Sequence, residues 1–442
     1  MENMKKDDEK EIEEKKCCVE EELRFLERVR RHAKETSDQT HAMYVNVTKL
    51  RRHLLDLQNA FPKDTIHAIA MKASPIRGVM KEVKNSNCGV ETASLGELKI
   101  ALKHGFSTHG IVYDSPAKTD DELRFALKQD KLILNLDNLE EVERVAFMIE
   151  KEKIEVNAVV GLRINPCVGK GTINATSTAY VGSKFGVCLK THGSDKIVSL
   201  FKKYNGWLTA LHCHVGSGGC GLKLLVRGVK RICHLASLIR KQGCDITHID
   251  IGGGVPLLYE CPEKAPTFQE YASVLRTEVP DLFLHDHKIV TEFGRRVHST
   301  TGVCVSKVAA TKISGDSKIA IIHIGADCFL RTAYMPGSWD HRVSVWTDTK
   351  RNSNIIKKNS KTEIWSIAGP LCFSGDFVAR NISLPPISRN DVVVIHDTGA
   401  YTLGMWSRYN SRRSPAVWGI SEDDVVLLRR RESISDVSRF WD

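Results

Sequence analysis

Lys72 stands in the segment Ala70-Met71-Lys72-Ala73-Ser74-Pro75, just past an apolar run. An amine there has two readings. It can emerge into solvent, or it can be partly desolvated, lowered in pKa and able to condense with a carbonyl. Gly252-Gly253-Gly254 follow His248-Ile249-Asp250-Ile251. Backbone N–H groups at such a turn are approachable and suit a phosphate, although tight turns use glycine too. Glu292, Gly294 and Arg295 share the turn Glu292-Phe293-Gly294-Arg295. The pair is either a surface salt bridge or a carboxylate aimed inward with a guanidinium left for an anion. His212-Cys213-His214 puts two imidazoles on one side of a strand, which could be a fragment of a metal site. No further ligand at familiar spacing completes it, so no metal is expected, and an imidazole stacking on an aromatic cofactor fits better. Cys372, in Gly369-Pro370-Leu371-Cys372-Phe373-Ser374-Gly375-Asp376, reads by itself as a buried, inert thiol.

These residues need elements to position them. Eight β-rich runs recur: 66–71, 88–91, 110–113, 132–136, 156–164, 208–214, 247–251 and 288–292. Amphipathic stretches lie between them, among them 120–127, 139–150, 195–204 and 222–242. Leu95, Leu98, Ala101 and Leu102 recur at helical spacing before Gly105, a C-cap residue. Eight strands alternating with helices predict a (β/α)8 barrel, with a doubly wound open sheet as the competing reading. Lys72, Glu91, His214, Gly252 and Glu292 all fall at the C-terminal ends of runs, where the loops of a barrel converge. From about residue 298 short β-rich runs with few helical periods predict a β-domain of the sandwich or barrel type. The expected organisation is a charged leader over 1–36, peripheral or disordered, and a barrel over 48–297. Residues 37–47 join 298–442 in the β-domain.

Composition narrows the function classes. The 442 residues are 42% hydrophobic and 27% charged, as in a folded globular protein. No apolar run is long enough to span a membrane. The acid-rich start, with Asp7, Asp8, Glu9, Glu11, Glu13 and Glu14, resembles neither a secretory signal nor a transit peptide, so a cytoplasmic protein is expected. The 13 cysteines are scattered without a CxxC pair, which suggests neither a disulfide framework nor a zinc ribbon. The charge of +10 is spread out. Its densest cluster, Lys350, Arg351, Lys357, Lys358 and Lys361, lies in a polar stretch that reads as an exposed loop, so nucleic acid is not the expected partner.

Taken in order, several segments resemble the fold-type III pyridoxal-phosphate decarboxylases, the family of diaminopimelate and ornithine decarboxylases. They are Met71-Lys72-Ala73, Arg163-Ile164-Asn165-Pro166, Ser183-Lys184-Phe185-Gly186, His214-Val215-Gly216-Ser217-Gly218, Asp250-Ile251-Gly252-Gly253-Gly254, Glu292-Phe293-Gly294-Arg295, Gly369-Pro370-Leu371-Cys372 and Asp397-Thr398-Gly399-Ala400-Tyr401. The resemblance implies pyridoxal 5'-phosphate bound covalently by Lys72. Glu292 would pair with the pyridine nitrogen and His214 would stack on the ring. Ser217, Gly252, Gly253, Gly254, Arg295 and Tyr401 would hold the phosphate, with Glu91, Arg163 and Gly294 beside the cofactor. It also implies a homodimer with sites at the interface, where Cys372 of one chain reaches the cofactor of the other and returns a proton after carbon dioxide leaves.

Asp327-Cys328-Phe329-Leu330-Arg331 and Tyr409-Asn410-Ser411-Arg412 look more like the diaminopimelate subgroup, in which Arg331 would bind a substrate carboxylate. Arg295, Tyr334, Met335, Phe373 and Tyr401 complete the substrate residues so implied. There are departures. Phe373 stands where an acid usually meets the far end of the substrate, Met335 where a tyrosine is usual, Phe293 for a proline and Glu91 for an aspartate. The expected reaction is decarboxylation of an amino acid, with meso-diaminopimelate the leading substrate. Alternatives are an amino acid with a non-basic distal end, a racemase, or a non-catalytic regulatory homologue. Glu292 argues against the racemase, whose family pattern puts an arginine at the pyridine nitrogen.

Overall fold

The computed structural model describes residues 2–36, 39–259, 264–347 and 362–442, with the backbone alone over 2–18. The basic cluster at 350–361 lies outside the described residues. The chain forms two compact units. One comprises Met1–Lys49, Thr301–Thr398 and Trp406–Asp442, the other Leu50–Thr300 and Gly399–Met405.

The first unit opens with the helix Glu2–Glu35 and strand β1 (His41–Asn46). The chain then enters the second unit and lays down nine strands. They are β2 (Ile66–Ala70), β3 (Gly89–Thr92), β4 (Ile111–Asp114), β5 (Ile133–Leu136), β6 (Val159–Asn165), β7 (Val187–Cys188), β8 (Leu208–His212), β9 (His248–Asp250) and β10 (Lys288–Thr291). All the pairings among them are parallel. Their order is β5-β4-β3-β2-β10-β9-β8-β6, and β5 also pairs with β6. That last pairing closes the sheet into an eight-stranded barrel and excludes the open sheet. Strands covered on both faces read as continuous apolar runs, as β4 (Ile-Val-Tyr-Asp) and β5 (Ile-Leu-Asn-Leu) do. Ala68, Val112, Ile133 and Val290, from four of these strands, pack into one buried cluster. β7 was not anticipated, because two residues carry no periodicity; it adds to the edge of β6.

Local chemistry sets the helix limits. Ser94, Thr119, Asn138 and Thr267 each accept the N–H three residues on, satisfying a donor that the helix leaves unpaired. Thr119 and Thr267 do so in capping boxes with Glu122 and Glu270. The helix Leu95–Lys103 ends as its sequence implies. Gly105, at φ 75°, donates to Leu102 O at 2.9 Å while Phe106 N reaches Ala101 O. The expected helix from Asp195 begins earlier, at Leu189, with a break at Gly193 (φ 73°).

Back in the first unit, β11 (Gly302–Ser314), β12 (Ser317–Ile322), β13 (Val343–Trp346), β14 (Glu363–Ala368), β15 (Phe377–Leu384), β16 (Val392–His396), β17 (Val417–Ile420) and β18 (Val425–Arg429) complete a mixed sheet. β1 lies between β11 and β17, so the N-terminal strand belongs to this β-unit. Phe25 and Val29 of the leading helix pack with Ala42, Tyr44, Val303, Val305, Val394 and Ile420. The second half of the charged leader thus supplies core residues, each contributing roughly 1.5–3 kcal/mol by apolar burial.

Glycine 89 marks where two barrel segments touch. A Cβ there would lie 1.8 Å from the Gly110 carbonyl oxygen, a backbone atom that cannot step aside. Gly89→Ala should therefore lower the unfolding free energy by about 1–3 kcal/mol or more in urea titration. Gly206→Ala, with nothing within 4 Å, should stay within about 0.5 kcal/mol.

Candidate functional site at the barrel mouth

The C-terminal ends of the barrel strands carry a dense set of buried ionisable groups. Lys72 follows β2, Glu91 lies in β3 and Asp114 ends β4. Arg163 lies in β6, His212 ends β8, Asp250 ends β9, and Glu292 follows β10. Lys72 is 44% exposed along its side chain, yet its ammonium reaches fully buried Glu91 and bonds both carboxylate oxygens. Burial raises the Glu91 carboxyl, Lys72 draws it back, and it settles at about 7. Burial acts to lower Lys72, but Glu91, Tyr401 and Glu292 outweigh it and raise the amine above its ordinary range, which corrects the expectation of a lowered one.

Arg163 binds Asp114 at 2.9 Å and lies 3.8 Å from Asp137. The Phe185 ring covers its guanidinium at 4.5 Å. His212 is wholly buried, with Nε2 3.4 Å from Glu292 Oε2 and Nδ1 3.9 Å from Asp114 Oδ1. Burial favours the neutral ring, but Glu292, Asp250 and Asp114 overcome it and carry its pKa to about 9. Glu292 has the opposite fate. Burial opposes its charge, yet His212, followed by Lys72, holds it well below the usual carboxylate range. Asp114, His212 and Glu292 are close enough to ligate a cation. Arg163 and protonated His212 already supply that positive charge, so the trio reads as an ion-pair cluster.

His214, one alternate position further on, behaves differently. Its Nδ1 accepts the Gly253 N–H at 3.1 Å, and burial followed by the Arg163 charge lowers its pKa to about 3. It is a neutral ring. Gly252 and Gly254 have φ of 64° and 109°. A Cβ on Gly253 would strike Glu292 O at 2.4 Å, and one on Gly254 would strike Gly216 O at 2.1 Å. The triple glycine thus lets three barrel loops converge. Gly252 N–H donates to Asp250 Oδ1 at 2.9 Å, so it and the Gly253 donor are engaged within the protein.

Arg295 opens the short helix Arg295–His298. Its Nε donates to Ser217 Oγ at 3.2 Å, its Nη1 to the Tyr259 hydroxyl at 2.9 Å, and its guanidinium lies 4.5 Å from the Tyr401 ring centre. Tyr401 sits at φ 57° and donates its N–H to Ala73 O at 2.8 Å, beside Lys72. A Cβ on Gly294 would meet Ala70 and Ala73 at 2.9 and 3.0 Å, so only glycine lets that segment pass.

The structure thus gathers Lys72, Glu91, Arg163, His214, Ser217, Gly252, Gly253, Gly254, Glu292, Gly294, Arg295 and Tyr401 in one unit. Cys372, Phe373, Arg331, Tyr334 and Met335 belong to the other. Cys372 is exposed, which corrects the reading of a buried thiol. Its N–H donates to Asn410 Oδ1 at 2.8 Å, and its carbonyl accepts the Tyr409 hydroxyl at 3.0 Å. The Phe373 and Tyr334 rings stack with centroids 5.5 Å apart and planes 16° apart. Arg331 lies over Trp339 at 4.5 Å, and Met335 N donates to Arg331 O. Sequence reasoning did not place Asp114, Asp250 or Tyr259 in the site. For His212 it offered a metal fragment. The signal available was that His212 and Asp250 end strands, as the chosen residues do.

A closed parallel barrel whose strand ends present an amine, an arginine beside a serine hydroxyl and a buried carboxylate is the framework of a cofactor-dependent enzyme. Residues 47–299 match the family described as "Pyridoxal-dependent decarboxylase, pyridoxal binding domain", and the chain belongs to that family. The diaminopimelate decarboxylase of Buchnera aphidicola is 29% identical over 392 residues, covering 86% of this chain and 89% of its own. That of Aquifex aeolicus is 27% identical, covering 85% of each. A crystal structure of the diaminopimelate decarboxylase of Helicobacter pylori with L-lysine superposes with a TM-score of 0.80 at 25% identity, covering 91% of this chain and 97% of that one. The protein is thus a pyridoxal-phosphate-dependent decarboxylase, and its residues fit that cofactor. Glu292 Oε1 is buried with no hydrogen-bond partner, as are both His212 nitrogens and Asp114 Oδ1. Such orphaned polar atoms are costly unless something else answers them.

His212→Asn should expose how much Glu292 relies on its cation. In protein prepared without cofactor, removing one partner of a buried ion pair costs about 3–5 kcal/mol. Because the His212 pKa is raised in the fold, this advantage is fully present below the ordinary value of 6.5 and lost as pH rises through about 9. Unfolding of both proteins between pH 6 and 10 checks it; a gap independent of pH would contradict the charge assignment.

Proposed function

We propose that the protein decarboxylates an amino acid of the diaminopimelate type, with meso-diaminopimelate the leading substrate. The observation that carries this reading is the grouping of Arg331 with the Tyr334–Phe373 stack in the β-unit. Arg331 suits a distal carboxylate. Phe373 offers an apolar wall where an acid would otherwise grip an ammonium, so the carboxylate is the main handle at that end. An amino acid with an anionic but non-basic distal end is the second reading, favoured by the same Phe373.

Bound pyridoxal phosphate supplies a carbonyl that captures amines and a ring that accepts the electrons left when carbon dioxide departs. The chain's own groups do the rest. Lys72 is the amine that would hold the cofactor, and its ion pair with Glu91 positions the ammonium and keeps it protonated in the cofactor-free fold. Glu292 offers a carboxylate to the ring nitrogen, kept ionised by His212. His214 would present a neutral ring face to the cofactor, and Arg163, held by Asp114, would stand beside it. Arg295, Ser217 and Tyr401 would form the phosphate end, with the Gly252–Gly254 and Gly294 turns as the backbone around it, the Gly252 and Gly253 N–H groups being engaged by Asp250 and His214. Cys372, exposed on its loop, returns a proton to the reacting carbon. By family resemblance Cys372 serves the partner's site, in a homodimer. We place the protein in the cytoplasm, where 13 scattered cysteines without a disulfide framework are at home. Among the described residues no helix is long and apolar enough to cross a membrane.

Carbon dioxide release by cofactor-loaded protein should occur with meso-diaminopimelate and vanish in Lys72→Ala. Phe373→Glu should raise kcat/KM for diamino acids by about tenfold, the equivalent of roughly 1.4 kcal/mol. Release from glutamate or another non-basic acid alone would move the assignment to the second reading. Lys72→Ala and Cys372→Ala chains, each inactive, should regain activity when mixed and allowed to exchange subunits; no recovery would rule out the shared site.

A further inference from the structure

Cys167 and Cys188 place their sulfurs 3.2 Å apart, and both are only partly buried. Other described cysteines of the barrel unit (Cys88, Cys213, Cys220, Cys233 and Cys244) are buried. The approach is built by the backbone. β6 and β7 are parallel neighbours, with Asn165 registered against Cys188. Cys167 lies two residues beyond Asn165, at a left-handed φ of 53° that a non-glycine residue rarely takes. Asn165 Oδ1 holds it there by accepting the Cys167 N–H at 3.0 Å. Arg231 clamps the same turn from the helix Leu222–Arg240, donating to the carbonyls of Pro166 and Cys167. The Thr191 hydroxyl donates to Cys188 Sγ at 3.2 Å.

We propose that Cys167 and Cys188 form a reversible thiol–disulfide couple, oxidised by a hydroperoxide and reduced by a dithiol. The division of labour follows from the surroundings. Burial disfavours the Cys188 thiolate, but hydrogen bonds from Thr191, Cys167 and the nearby amides outweigh it and leave the thiol below its ordinary range. Burial leaves Cys167 above it. Cys188 is therefore the thiolate that attacks. Its sulfur takes one peroxide oxygen as a sulfenic acid, and the O–O bond breaks with release of water or an alcohol. The Cys167 sulfur then displaces that oxygen as a second water. Two thiols lose two electrons and two protons, and the peroxide is reduced.

The bond would matter because of what lies inside the loop it closes. Between the two cysteines runs the segment carrying Phe185, whose ring covers Arg163, and Gly186, whose N–H donates to Asp137 Oδ1 at 3.2 Å. A cross-link from the end of β6 to β7 braces that cover over a buried cation of the barrel mouth. In a compartment that keeps most thiols reduced, such a pair serves as a sensor and not as a permanent staple.

The test uses cofactor-loaded full-length protein treated with hydrogen peroxide, blocked with iodoacetamide and digested without reductant. The expected result is a cross-linked peptide joining Cys167 to Cys188, lighter by two hydrogens than its parts and lost on adding dithiothreitol. Cleavage by added protease between residues 168 and 186 should slow severalfold in the oxidised form. In Cys167→Ser, dimedone should trap a sulfenic acid on Cys188, whereas Cys188→Ser should give neither product. Alkylation of both cysteines undiminished after peroxide, or oxidation falling first on Cys372, would overturn the proposal. The wild-type peptide map decides this even where a serine variant folds poorly.

Discussion

Charge neutrality at the barrel mouth is the condition on which the rest of this unit depends. Glu91, Asp114, Asp250 and Glu292 bring four carboxyl groups, each at least nine-tenths buried, to the ends of four strands. An ionised carboxylate out of water costs several kcal/mol unless it is paired. The pairs are supplied from other strands: Lys72 after β2, Arg163 in β6 and His212 at the end of β8. The burial that raises Glu91 and Asp250 is the same burial that Glu292 escapes through His212. Asp250 accepts from Gly252 N–H and from Asn135 Nδ2, and although His212 draws its pKa down, burial and the neighbouring Glu292 charge keep it raised. Closure completes this balance, since the contacts of Asp114 with Arg163 and His212 cross the β5–β6 pairing, whereas Lys72–Glu91 joins the neighbouring β2 and β3.

Glycine solves the steric half of the same problem. Charged groups from separate strands converge only if the loops above them approach within backbone contact. Gly253 and Gly254 permit it at the ninth and tenth strands, and Gly294 permits it between the Lys72 segment and Tyr401. A side chain at any of these positions would separate the groups that neutralise one another. The glycines are thus as much part of the electrostatics as the ions are.

Much of this was legible in the residue order. Eight apolar runs gave the barrel, and the habit of placing polar residues at their ends gave Lys72, Glu91, His214 and Glu292. Gly105 marked the end of the helix Leu95–Lys103, which the structure bears out. Three things were not legible. Asp114 and His212 come together from strands with two others between them in the sheet, and no spacing along the chain encodes that. β7 is too short for a period, and with it went the contact between Cys167 and Cys188. β13 and β15 are half-buried strands whose alternation is diluted by exposed residues such as Arg380 and Asn381, so they were not among the β-rich runs expected. The runs 303–308, 318–323, 363–367, 391–396, 416–419 and 424–429 were expected, and each coincides with a strand.

The two histidines of His212-Cys213-His214 show why residue type alone could not assign the site. Both lie at one strand end, two positions apart, and both are enclosed. One faces Glu292, Asp250 and Asp114 and is cationic at neutral pH; the other faces Arg163 and a backbone N–H donor and is neutral. Exchanging their states would place a cation against Arg163 and leave Glu292 with one fewer counter-charge. The neighbours therefore fix which imidazole works as an ion and which as a flat apolar surface. Two residues apart, one imidazole thus serves as the counter-charge of a buried carboxylate and the other as a neutral acceptor of a backbone N–H.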